Sequence, residues 1–123
     1  MARRSCIALV AAAAVGLVGV SAPTAEAQAK GDPAAGHVLY HARCARCHGP
    51  TGGGDGPVAP RLAQKPQDWT KGLNDMTDQQ VADSITKGGP AVGKSNAMLA
   101  FPRLSDAEVW NLVAYIRTLA KKP

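Results

Sequence analysis

The sequence predicts a small all-α domain. Three stretches carry apolar residues at helical spacing, no stretch alternates as a strand does, and a long proline-rich segment separates the first helix from the second. Length sets the scale: of 123 residues, 1–27 read as an export signal, which leaves one domain at 28–123.

The signal reading rests on order. Met1 to Arg4 is positively charged, Cys6 to Val20 is apolar and rich in alanine and valine, and Ala25 to Ala27 ("AEA") has the small-x-small form of a cleavage site, so the mature chain is expected to begin at Gln28. Ser5 to Ala25 carries no charge and is about long enough to cross a bilayer, so a retained anchor is the alternative, and the chain would meet a membrane only in that case. Both readings put the folded part outside the cytoplasm, in the periplasm. Arg3 and Arg4 alone are too little to assign twin-arginine export.

The first helix opens with Asp32 as N-cap and Pro33 at its first position. Its apolar face is expected to be Ala35, Val38, Leu39, Ala42 and Ala45, with Gly36, Tyr40, Cys44 and Cys47 forming a neighbouring stripe. From Gly49 to Asp75 the chain is irregular, with Pro50, Pro57, Pro60 and Pro66 along it; an ordered loop of that length usually has a functional reason. The second helix is short: Thr77 and Gln80 form a capping box, Val81, Ala82 and Ile85 give it an apolar side, and Gly88 and Gly89 end it. In the third, Ser105 and Glu108 repeat the capping box, and Val109, Leu112, Val113, Ile116, Leu119 and Ala120 recur at helical intervals. This helix is expected to pack on the first.

Composition narrows the function. The mature chain holds twelve lysines and arginines against eight aspartates and glutamates, a balance of +4 without runs of like charge or interleaved aromatics, which argues against nucleic acid as a partner. Two Trp, two Tyr and one Phe are few for a domain this size, so something other than side chains is expected to fill part of the core. Only Cys44 and Cys47 remain after the signal, which excludes a disulfide framework.

Those two cysteines stand in "CARCH", directly before a glycine run, "GPTGGGDG". Residues three apart on a helix face the same way, so two sulfurs can reach two vinyl groups along one edge of a haem while His48 binds the iron; C-x-x-C-H is the attachment signature for c-type haem. A zinc site would need about four ligands, with only His37 and His41 to supplement these three. A thioredoxin-like pair would need a βαβ context, and a plain disulfide leaves His48 unexplained. Gly49, Gly52, Gly53, Gly54 and Gly56 are expected to let the backbone turn close to the haem edge.

With these residues in place, the chain from Gly31 to Ala120 resembles class I monohaem cytochromes c, in particular bacterial ones with "CxxCHG", then "GxGDGP" and a methionine near the last helix. Gly36 and Tyr40 resemble the glycine and aromatic of that family's first helix, and Tyr115 the aromatic of its last, where the two helices cross. The resemblance implies a small cytochrome c fold, with about three main helices and long loops wrapped around one covalent haem. It also implies a proline whose carbonyl orients the proximal imidazole, matched by Pro60 through its spacing to Leu62, with Pro57 as the competitor. Met98, in "KSNAMLAFPRLSD", resembles the family's "MPAF" ligand loop, except that proline stands at position 102 instead of directly after the methionine. Met76, His37, His41 and the lysines are the other candidates for the sixth ligand. Trp69 either covers the haem, bonds a propionate, or packs in the core.

The function implied is electron transfer between a donor and an acceptor protein by His/Met-ligated haem, with no catalytic acid or base. The alternative is a haem c subunit of a larger periplasmic dehydrogenase or oxidase. A peroxidase or ligand sensor would instead need an open iron position.

Overall fold

The computed structural model describes residues 31–73 and 75–120, so the expected signal at 1–27 lies outside the described residues. Among the described residues five helices follow one another: α1 (Pro33–Arg43), α2 (Ala45–His48), α3 (Trp69–Gly72), α4 (Asp78–Lys87) and α5 (Asp106–Leu119), with 3₁₀ turns at Ala59–Arg61 and Gly89–Val92. Among the described residues there is no strand, as the pattern predicted.

The caps lie where the sequence put them. Asp32 accepts from the Ala34 N–H at 2.8 Å to open α1. Thr77 and Gln80 exchange bonds of 3.2 and 2.8 Å at the start of α4, and Ser105 and Glu108 form the same reciprocal box on α5. Each box satisfies two backbone donors that a helix start otherwise leaves to water.

The buried face of α1 differs from the one expected. Gly36 and Tyr40 are buried, whereas Val38 is 68% exposed and Ala42 lies on the surface. Gly36 decides the matter: a Cβ there would overlap the Asn111 carbonyl, so α5 can come close only on the glycine side. That approach carries Tyr40 inward, against Tyr115 at 5.1 Å between ring centroids. The Asp32 N–H also donates to Asn111 Oδ1 at 2.6 Å, locking the crossing at its open end. Around Tyr40 gather Leu73, Leu112, Val113 and Ile116, each almost fully buried. Burial stabilises a leucine or isoleucine side chain by roughly 1.5–3 kcal/mol.

The long loop is held by the haem-motif turn it follows. Gly54 N–H donates to the His48 carbonyl at 2.9 Å, Gly56 to Cys47 at 3.2 Å and Val58 to Arg46 at 3.1 Å, while Trp69 N–H reaches Gly52 at 2.8 Å. The glycines therefore serve close approach, but to protein: a Cβ at Gly54 or Gly56 would overlap the carbonyl of Pro66 or of Arg46.

Arg117 closes the far side. Its guanidinium donates to the Leu73 carbonyl at 2.7 Å and to the Met76 carbonyl, and its Nε pairs with Asp78 at 2.6 Å. One side chain of α5 thus fixes both the end of α3 and the start of α4.

Candidate haem-binding site

Between these elements lies a cavity of about 890 Å³. Its walls come from the end of α1 with α2, from the loop between Leu62 and Trp69, and from α4 with the segment following its 3₁₀ turn. Val81, Ile85 and Phe101 give it apolar surface, while Arg43, Arg46, Lys65 and Lys94 are its cations; no described carboxylate lines it.

Cys44, Cys47, His48, Leu62, Trp69 and Met98 all line this one cavity. Pro60 does not: it sits on the exposed 3₁₀ turn and borders a separate cavity of about 380 Å³ that shares Leu62. His37 and His41 stay exposed on α1, away from both.

The α1 helix ends before the motif. Cys44 lies between the two helices, its N–H donating to the Tyr40 carbonyl at 2.7 Å, and α2 carries Cys47 and His48 on a single turn. Tyr40 also anchors the exit of that turn, its buried hydroxyl donating to the Gly49 carbonyl at 2.6 Å. Cys44 and Cys47 are not joined in a disulfide. Burial, with Cys47 adding to it and Arg43 opposing, pushes the Cys44 thiol up to about 11.

His48 stacks flat on Trp69, 3.9 Å between centroids and 13° between planes. Its Nδ1 is buried without a hydrogen-bond partner among the described residues. Burial pushes the imidazole down to about 4, against a hydrogen bond with the Gln67 backbone that favours the charged form, so the ring is neutral near pH 7. A neutral imidazole is the form that binds a metal.

Met98 is half-buried. Its carbonyl accepts from Gly89 N–H at 3.1 Å and Phe101 N–H donates to Ile85 at 2.8 Å, which pins the methionine segment to the end of α4. Gly89 permits that contact, because a Cβ there would overlap the Ser95 carbonyl. Met76, the other methionine among the candidates for the sixth ligand, lines the same cavity from the loop Arg117 holds. Val81 and Ile85 were legible as the apolar side of α4, but not as a cavity wall.

The sequence model of the cytochrome c family matches residues 33–120. Cytochrome c-555 of Chlorobaculum thiosulfatiphilum is 39% identical over 85 residues, covering 69% of this chain and 93% of that protein.

The chain belongs to the cytochrome c family.

This cytochrome therefore carries covalently bound haem c, and Cys44 and Cys47 are the cysteines of its attachment motif. Its general function is electron transfer with redox partners. Cytochrome c-554(547) of Halothiobacillus neapolitanus is 35% identical over 92 residues, 72% of this chain and 98% of that one. Cytochrome c4 of Thiocapsa roseopersicina is 35% identical over 94 residues, 76% of this chain but 43% of the relative, so this cytochrome spans less than half of it. The fold also matches a chain of the Kuenenia stuttgartiensis reducing HAO-like protein complex, at TM-score 0.60 and 24% identity, over 73% of this chain and 43% of that one. The site suits the group on its own chemistry. Two thiols and a neutral imidazole border one large cavity with apolar walls, and a thioether borders it too.

Proposed function

We propose that this cytochrome is an exported, periplasmic electron carrier whose haem iron is held between His48 and Met98. The haem supplies one-electron redox chemistry when bound. The chain supplies attachment through Cys44 and Cys47, a stacked and uncharged His48, and a thioether on a pinned segment of the same cavity. A His/Met pair raises the reduction potential relative to bis-histidine ligation and leaves no position for substrate. The single observation that carries this reading is that Met98 lines the same cavity as His48.

Other residues take supporting roles. Trp69 holds the plane of His48, and Leu62 lines the cavity that would hold the haem. The Nδ1–H of a ligating histidine needs an acceptor; the resemblance assigns the Pro60 carbonyl, to which His48 Nδ1 makes no bond in this structure. Export removes residues 1–27, leaving Gln28 at the amino terminus.

Carbon monoxide tests the ligand set. A bound thioether must leave before the gas reaches ferrous iron, so the wild type is expected to bind little and Met98→Ala readily. Rapid stoichiometric binding to both would remove Met98 as ligand and turn the reading toward a sensor or peroxidase.

A further inference from the structure

His37 and His41 take no part in the site above. They stand one turn apart on α1, both exposed, with ring centroids 4.4 Å apart and planes tilted by 50°. Neighbouring rings hold them from the protein side: His37 meets Tyr115 edge-on at 5.1 Å, and His41 meets buried Tyr40 at 5.5 Å. Among the described residues neither imidazole is in an ion pair.

The spacing selects a ligand. A metal about 2.0–2.1 Å from each ring nitrogen lies about 3.2 Å from each ring centre, so two cis imidazoles at a right angle need centroids roughly 4.5 Å apart, and a tetrahedral pair roughly 5.2 Å. The observed 4.4 Å matches the first. Tetragonal nitrogen coordination suits Cu(II), which also heads the affinity order of the first-row divalent metals, whereas calcium and magnesium prefer oxygen.

We propose that His37 and His41 form a surface chelate for a divalent transition metal of the Cu(II) type, with water completing its coordination. The bound ion bridges α1 one turn before Cys44 and braces the helix that leads into the haem attachment. It binds the folded helix and not the extended chain, so it raises thermal stability.

Cu(II) titration of the ferric holoprotein tests this, with copper electron paramagnetic resonance reading the number of bound nitrogens. His37→Ala and His41→Ala replace exposed helical residues by the best helix former, and an unchanged haem spectrum with unchanged circular dichroism verifies their fold. Expected are one copper per wild-type chain with two nitrogen ligands, and affinity at least tenfold weaker in each single variant. Equal affinity in either variant, or no binding at micromolar copper, overturns the chelate.

Discussion

Tyr40 joins the helix crossing to the haem motif. Its ring is buried against Tyr115, and its hydroxyl holds the Gly49 carbonyl directly after His48. Tyr40→Phe keeps the ring and removes this bond, leaving the Gly49 carbonyl with the Gly52 N–H at 3.2 Å alone; a loss of about 1 kcal/mol in chemical denaturation is expected. At this scale legibility followed sequence distance. Cys44, Cys47 and His48 could be read because their chemistry lies in five consecutive residues. The clamp made by Arg117 could not, because its partners Leu73, Met76 and Asp78 lie about forty residues away. Met76 was readable as a candidate ligand, but its place on the cavity wall was not, since only the tertiary fold carries its loop there.

Helix starts were written locally, as were the buried faces of α4 and α5, but the face of α1 was not. Both capping boxes are three-residue spacings that any reader of the sequence can find, and both are present. The face of α1 turned on Gly36, whose value lies in what it lets approach, and that is a property of α5. The α5 cap also predicts a pH dependence. Hydrogen bonds from the Ser105 backbone and hydroxyl hold Glu108 below the usual glutamate range. A carboxyl depressed in the folded state stabilises above its unfolded value and loses that contribution as pH falls through the folded one. Glu108→Gln should therefore flatten the acid side of the stability curve, below about pH 4, relative to wild type. An acid limb identical to wild type would show that the cap bond is not made in solution. Ser105→Ala, by removing the cap itself, is expected to cost about 1 kcal/mol at neutral pH.

For the molecule as a whole, few aromatics and a large cavity are two views of one fact. Five aromatic residues leave a domain of this size short of apolar mass, and the cavity of about 890 Å³ lies where that mass is missing. A group that binds only the folded chain adds its binding energy to stability. The Cys44→Ala, Cys47→Ala chain produced without haem should therefore lose most helix signal and melt without cooperativity; native helix content and a sharp melt would show a core that stands alone. The all-α class and the helix pairing were readable because apolar residues recur at helical spacing in three stretches, and α5 buries Val109, Leu112, Val113, Ile116 and Leu119 as that spacing requires. The path of the long loop was not, because its backbone bonds to the haem-motif turn leave no pattern in side-chain type.

The central claim is that Met98, and not Met76, faces the haem iron opposite His48. Proton magnetic resonance of the ferrous holoprotein with labelled methionine tests it most directly, because a methyl group held over the porphyrin face is shifted far upfield by the ring current. The account predicts one such methyl, retained in Met76→Ala and lost in Met98→Ala. An upfield methyl that vanishes in Met76→Ala, or none in the wild type, would contradict it.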